Sequence, residues 1–117
     1  MSYDIRLCNS AGETITLDHK HNLSGGTYCL GGTDECWLNV TYNYSAHFRR
    51  VFGENGIRTI YGMSGADSAP LLVAGINQLA TDVADDYWEA TEGNARKALC
   101  DLLALALAAP EGIWEGD

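Results

Sequence analysis

Three arginines lie close together in this sequence, at a spacing that suits the binding of an anion. Arg49, Arg50 and Arg58 fall within ten positions of a chain that has 7 Lys and Arg residues, 16 Asp and Glu residues and a formal net charge of -9. A guanidinium group presents several N–H donors in one plane, and it therefore suits the oxygens of phosphates and carboxylates. The cluster predicts a site for a small anionic ligand.

Polar and aromatic side chains precede the arginines and complete the predicted site. Alternation along a strand at 36–44 would place amides, a hydroxyl and an aromatic ring on one face, where they can hydrogen-bond a sugar or stack on a base. The candidate ligand-binding residues are Trp37, Asn39, Thr41, Asn43, Tyr44, His47, Arg49, Arg50 and Arg58. The alternative is that the arginines form surface ion pairs with the surplus carboxylates. Adjacent helical residues also point about 100° apart, so at most one of Arg49 and Arg50 faces a given site.

Two further segments have the composition of a ligand site, and each can also be explained by a purely structural role. The segment Asp18–His21 contains two histidines that could bind a metal with Cys29 or Cys36, but a polar loop has the same composition. The segment Gly62–Ser68 precedes a helix, where N–H groups can hold a phosphate. It lacks the Gly-Lys-Ser/Thr ending of a P-loop, and a helix cap accounts for its Ser and Asp residues.

No group of residues in the sequence has the spacing of a known catalytic site. Ser64, Cys36 and His47 lack the surrounding motifs of nucleophilic enzymes. A cluster of carboxylates has the types needed for paired acid–base chemistry or cation binding, but acids at a helix N-terminus are explained by the helix dipole. These residues are Asp85, Asp86, Glu89 and Glu92. We therefore predict no enzymatic activity and no cofactor.

The negative charge limits the partners that the chain can have. It argues against direct nucleic-acid binding, which needs a basic surface. A second hypothesis is an acidic inhibitor that covers a basic site on another protein and mimics DNA, although a solvated acidic surface is the common alternative. Its candidate residues are Asp82, Asp85, Asp86 and Glu89. The sequence shows no signal peptide and no apolar run of the length that a membrane span needs, which predicts a cytoplasmic protein without a membrane partner.

The first half of the chain has the patterns of β-structure. Residues 3–7 and 14–17 alternate between apolar and polar, with turn-forming residues between them, and they predict a hairpin. A short strand is expected at 27–30, between two Gly-Gly-Thr sequences. The strand at 36–44 has the longest alternating pattern.

The second half has the patterns of helices. A short helix is expected at 47–52. Asp67 or Ser68 is expected to cap a second helix, whose apolar residues recur at helical spacing as far as Val83. Thr91 is expected to cap the last helix.

Strands followed by helices predict one α+β domain covering residues 1–117, with a small antiparallel sheet from the N-terminal half and two or three C-terminal helices packed on it. From Leu102 the last helix is apolar on all sides, which indicates a central position in the core or an oligomer interface. The candidate contacts of a homo-oligomer are Leu102, Leu103, Leu105 and Ala106. Trp114 in the tail is expected to pack against the body of the protein.

Several short strings give the chain a likeness to known sequences. They are Gly-Gly-Thr-Tyr at 25–28, Leu-Asn-Val-Thr-Tyr-Asn-Tyr at 38–44, Gly-Ile-Arg-Thr-Ile-Tyr-Gly at 56–62, Tyr-Trp-Glu-Ala-Thr-Glu-Gly-Asn-Ala at 87–95 and Gly-Ile-Trp-Glu-Gly-Asp at 112–117. Residues 25–117 thus resemble a family of small, functionally unassigned phage and prophage proteins. The resemblance implies a phage origin and action in the cytoplasm of a bacterial host, and it implies no catalytic residues.

Phages carry accessory proteins that disarm host defences, and by analogy we expect this chain to sequester a nucleotide-like anion used in such a defence. The alternatives are the acidic inhibitor of a host protein and a minor structural or assembly protein of the phage.

Overall fold

The computed structural model describes residues 1–23, 25–26 and 30–117. Within these residues the chain forms five strands and three α-helices, which are β1 Ser2–Cys8, β2 Thr16–His21, β3 Thr33–Glu35, β4 Trp37–Thr41, α1 Ser45–Phe52, α2 Gly65–Gln78, α3 Glu92–Ala108 and β5 Ile113–Gly116. Two 3-10 helices, Tyr42–Tyr44 and Gly56–Ile60, flank α1. Antiparallel sheets with three helices packed against them confirm the predicted α+β class.

β1 is the middle strand of a three-stranded antiparallel sheet with the order β4–β1–β5. Its alternating sequence puts Tyr3, Ile5 and Leu7 in the core, where they are at most 6% exposed. Ile5 lies opposite Leu38 of β4, and Leu7 lies opposite Trp114 of β5. The packing of Trp114 against the body is confirmed, but it occurs through a strand that the sequence patterns did not predict.

The predicted hairpin between residues 3–7 and 14–17 forms only in part. Asn9 Oδ1 accepts hydrogen bonds of 3.0 Å from the N–H groups of Ala11 and Glu13, which closes the expected turn. A bridge then joins Cys8 to Thr14. Beyond this bridge the pairing prediction is wrong, because β2 leaves β1 and pairs with β3 in a separate two-stranded sheet.

The other two strand predictions have different outcomes. Three residues of the predicted strand at 27–30, namely Thr27, Tyr28 and Cys29, lie outside the described residues, and Leu30 lies in a turn. β4 is formed, but it stops at Thr41 instead of continuing to Tyr44. Thr41 Oγ1 accepts a 3.1 Å hydrogen bond from the N–H of Asn43, and this contact starts a 3-10 helix and ends the alternation.

The predicted start and end of the second helix are both wrong. Ser64 caps α2 by accepting a 3.0 Å hydrogen bond from the N–H of Asp67, so the helix begins at Gly65 and not after Asp67 or Ser68. α2 ends at Gln78, which leaves Val83 in the following loop with 59% of its surface exposed. The helical spacing of apolar residues therefore holds for Leu72 and Ile76, and Val83 lies outside the helix.

The termini of α1 and α3 follow their local signals more closely. α1 begins at Ser45, slightly earlier than predicted, and ends at Gly53, whose φ of 97° is accessible mainly to glycine. Thr91 caps α3 by accepting a 3.0 Å hydrogen bond from the N–H of Asn94, as predicted. None of the helices in the described part of the chain has the length and apolar content to cross a membrane.

α3 supplies much of the core and changes the interpretation of its apolar residues. Leu102, Leu105 and Ala106 are at most 1% exposed within a single copy of the chain. They are therefore unavailable for the predicted contact with a second copy, because the monomer already covers them. Leu103 is half-buried, and the large apolar side chain that this helix exposes is Leu107, at 66%. Oligomerisation itself stays a prediction.

Candidate anion-binding site

α1 directs its two arginines to different sides. Arg50 extends toward the start of α3 and forms a 2.9 Å ion pair with Glu92. Glu92 also accepts a 3.0 Å hydrogen bond from the N–H of Ala80. This bond, together with the charge of Arg50, holds the pKa of the Glu92 carboxyl below its usual value. Arg50 thus joins α1 to α3, as the ion-pair alternative predicts.

Arg58 lies across two tyrosine rings. Its guanidinium carbon is 5.0 Å from the ring centre of Tyr3 and 5.8 Å from that of Tyr42. The two rings meet edge to face at a centroid distance of 4.5 Å. Nε donates a 2.8 Å hydrogen bond to the main-chain oxygen of Asp117, and Nη2 makes a long 3.5 Å contact with the Tyr42 hydroxyl. We call Arg58, Tyr3 and Tyr42 the arginine–tyrosine stack. Its terminal nitrogens keep N–H donors that no described residue accepts.

Arg49 lies on the side of α1 that faces this stack. Ser45 is one helical turn before Arg49, and its Oγ is 2.6 Å from the Tyr3 hydroxyl. A Cβ built at Gly56, which begins the 3-10 helix carrying Arg58, would lie 3.5 Å from Arg49 Cγ. The guanidinium of Arg49 is exposed and forms no ion pair or hydrogen bond with any residue that the structure describes. Arg49 and Arg58 therefore lie on the same side of the molecule.

Three predicted ligand-binding residues are internal. Asn39, Thr41 and Tyr44 are 8%, 1% and 0% exposed. Asn39 Nδ2 donates to Asp4 Oδ1 at 2.9 Å, and the N–H of Thr41 donates to the Tyr87 hydroxyl at 3.0 Å. The Tyr44 hydroxyl donates to the main-chain oxygen of Tyr87, and burial raises the pKa of Tyr44 above its usual range. Because these three side chains are buried and bonded inside the protein, and because β4 ends at Thr41, they do not form the predicted polar row that contacts a ligand.

Three further predicted residues are accessible but lie away from the arginine–tyrosine stack. Asn43 Nδ2 and His47 Nε2 each lie 2.8 Å from a main-chain carbonyl oxygen in the segment 88–90, on the Arg50 side of α1. Trp37 lies on the outer face of the sheet, which is a different surface. The structure thus gives Asn43 and His47 internal partners and places Trp37 on the sheet, and a contact of these residues with a ligand stays a prediction.

The arginine–tyrosine stack contains two residues that the sequence reasoning missed. Alternation assigns Tyr42 to the core face of a continuous strand, and it gives no reason to associate Tyr3 with an arginine in the second half of the chain. The sequence signal that exists is the aromatic character of Tyr3 at an inward position of β1. This signal indicates burial and does not indicate which cation the ring contacts.

The alternative in which the histidines of the segment 18–21 bind a metal with a cysteine is not supported by the residues that the structure describes. Within them, no group of three or more His, Cys, Asp or Glu residues could hold a metal ion. His21 Nε2 lies 2.7 Å from the main-chain oxygen of Glu35, and Cys29 lies outside the described residues. Cys36 is 0% exposed, and burial raises the pKa of its thiol to about 11. The thiol of Cys36 is consequently protonated at neutral pH, which disfavours nucleophilic attack.

The segment 62–68 uses its polar groups inside the protein. Besides the cap formed by Ser64, the N–H of Gly65 donates to Gly112 at 2.8 Å and the N–H of Ala66 donates to Pro110 at 2.9 Å. Because these N–H groups are already bonded, the helix-cap explanation holds and the phosphate-loop alternative loses its donors.

The acidic segment before α3 also has an internal role. Asp82 Oδ1 accepts a 3.1 Å hydrogen bond from the N–H of Gly93, and Asp86 Oδ1 accepts a 3.0 Å bond from the N–H of Trp88. These carboxylates order the loop that leads into α3. They therefore have a structural explanation that does not require a basic partner.

Comparisons with known proteins identify no relative from which a function for this site could be inferred. No family model matches the sequence, and no curated protein and no solved structure matches it either. The resemblance to phage and prophage proteins stays a prediction.

Proposed function

We propose that this protein binds a small anionic, nucleotide-like ligand through Arg49 and Arg58 and thereby withdraws it from a host defence. The supporting observation is the arginine–tyrosine stack with Arg49 beside it. Neither guanidinium is paired with a side-chain carboxylate among the described residues, although the chain has 16 acidic and 7 basic residues. In a chain so rich in acids, two neighbouring arginines without carboxylate partners are better explained by an external anion.

The stack suits this function because it fixes the orientation of the Arg58 guanidinium before the ligand binds. The faces of Tyr3 and Tyr42 and the bond to Asp117 restrict the plane of the guanidinium. A restricted donor loses less side-chain entropy on binding than a freely rotating one. Its terminal N–H groups match the paired oxygens of a phosphate, and Arg49 adds a second charge from the neighbouring helix.

The biological part of the proposal comes from the resemblance to phage proteins. Sequestration requires tight binding and no chemical step, which agrees with a site built from arginines and tyrosines and without a nucleophile. The acidic inhibitor and the structural role remain the competing predictions.

The proposal is tested by calorimetric titration with pyrophosphate, ADP and cyclic di-AMP as probes. We expect at least one nucleotide probe to bind, and we expect the double substitution Arg49→Ala and Arg58→Ala to weaken binding by more than about tenfold, since hydrogen bonds to charged groups contribute about 1.5–3 kcal/mol each. Arg50→Ala is the matched control, because it removes the adjacent arginine from the Glu92 side of α1. An unchanged affinity in a folded double variant would refute the site.

The natural ligand can be sought by native mass spectrometry of the protein after incubation with lysate from phage-infected bacteria. A released nucleotide-like anion supports sequestration, and its loss in the Arg49 and Arg58 double variant assigns it to this site. A protein partner without a small molecule would instead favour the acidic inhibitor.

A further inference from the structure

We infer that the outer face of the three-stranded sheet is a docking groove for an arginine-bearing, basic segment of a partner protein. The groove has a volume of about 900 Å³ and includes the exposed side chains of all three strands. The residues on which the inference depends are Asp4, Arg6, Glu35, Trp37, Glu115 and Asp117. This inference goes beyond the proposed function, because it concerns a ligand of opposite charge on the outer face of the sheet. The two sites adjoin at Asp117, whose main-chain oxygen accepts the hydrogen bond from Arg58 Nε.

The charge of the groove selects a cationic occupant. Its lining carries four carboxylates and one guanidinium, which gives a net charge of -3. The one guanidinium, Arg6, is already engaged by Thr14 Oγ1 at 3.1 Å and by Glu115 at 3.5 Å. The side chain of Glu35 forms no hydrogen bond or ion pair with any described residue. A basic segment would neutralise this uncompensated charge, whereas a phosphate would be repelled by it.

An aromatic side chain in the groove favours arginine over lysine. Trp37 lies on the outer face of β4 and is half-buried, so part of its ring is available to a guanidinium plane.

The occupant must lie across the face of the sheet, because both sheet edges are already covered. On the β4 edge, the N–H of Gly26 donates to the main-chain oxygen of Asn39 at 2.9 Å. On the β5 edge, the N–H of Trp114 donates to the main-chain oxygen of Met63 at 2.9 Å. Strand addition is thereby blocked, and recognition has to come from side chains that enter the groove.

Fluorescence anisotropy with a labelled peptide of alternating arginine and glycine tests this inference. We expect the wild type to bind the peptide at low salt, and we expect the double variant Glu35→Gln and Asp117→Asn to bind about tenfold more weakly. The matched control is Glu54→Gln and Glu89→Gln, which changes the net charge equally at two exposed positions outside the groove. The control should stay within about twofold of the wild type.

Three outcomes would overturn the inference. They are the absence of peptide binding, an equal loss in both double variants, and an equal affinity for spermine, which would show a general attraction for cations. In addition, Trp37→Leu should lower the affinity for the arginine–glycine peptide more than the affinity for a lysine–glycine peptide of the same length. Equal weakening of the two peptides would contradict the stacking role of Trp37.

Discussion

Replacing Arg58 with alanine should destabilise the folded protein even without ligand. Its guanidinium contacts Tyr3 in β1, Tyr42 after β4 and the main chain of Asp117 after β5. An exposed cation–π contact contributes about 0.5–1 kcal/mol, and a hydrogen bond contributes about 0.5–1.5 kcal/mol. Since one ring is closer than the other and the site is exposed, we expect a loss of about 1.5 kcal/mol in the free energy of unfolding.

The loss can be measured by urea unfolding followed through tryptophan fluorescence. For a small protein the denaturant dependence is about 1–3 kcal/mol per molar urea, so the midpoint should fall by about 0.5–1.5 M without a change in slope. Arg49→Ala is the internal control, because its guanidinium contacts no described partner and its substitution should change stability by less than about 0.5 kcal/mol. Arg58→Lys keeps the charge but not the planar group, and its midpoint should lie between those of the wild type and Arg58→Ala.

Equal midpoints for Arg58→Ala and Arg49→Ala would refute the reasoning, because both variants remove one positive charge from the same side of the protein. A double-mutant cycle with Tyr42→Leu separates the stacking from the hydrogen bond. We expect a coupling of about 0.5–1 kcal/mol between Arg58 and Tyr42. A coupling near zero would show that the rings do not hold the guanidinium in solution.

Two further substitutions test the packing around the sheet and the start of α3. Ser68→Ala removes the acceptor of the 2.7 Å hydrogen bond from Trp114 Nε1, and because both residues are 0% exposed, the unpaired donor should cost about 1–3 kcal/mol in urea unfolding. An unchanged midpoint would mean that water reaches the indole. Glu92, whose pKa is lowered from 4.5 mainly by the Ala80 N–H, contributes stability that is complete above this value and is lost as the pH falls through the lower folded pKa. The difference in midpoint between the wild type and Glu92→Gln should therefore shrink below pH 4.5, and a difference that is independent of pH would contradict the assignment.

Elements with local signals could be predicted from the sequence. The cap at Thr91 depends on residues within one helical turn, and Gly53 ends α1 through its own backbone freedom. The alternation of β1 likewise follows from neighbouring residues. In each case the physical cause lies within a few positions of its effect.

Most features that could not be predicted depend on residues far apart in the chain. The start of α2 is an exception, because three neighbouring residues could serve as its cap and the sequence does not distinguish Ser64 from Asp67 or Ser68. β5 has four residues, one of them glycine, and it becomes a strand through its pairing with β1 and its contact with Met63. The end of β4 depends on competition between the Thr41 cap and continued pairing. The candidate site was found in part because arginines are conspicuous in an acidic chain, but their association with Tyr3 required the tertiary structure.

The position of β5 in the sheet also has a consequence for the timing of folding. The N–H of Asp4 bonds to Asp117 Oδ1 across 113 positions, and β5 pairs with β1 over nearly the same separation. At about 5–20 residues per second, a ribosome needs on the order of ten seconds between synthesising these two strands. During that interval one edge of β1 is open, and an open strand edge can pair with other nascent chains. Arg58 also lacks its Asp117 contact until translation has passed β5, so the arginine–tyrosine stack is completed only after β5 has been synthesised.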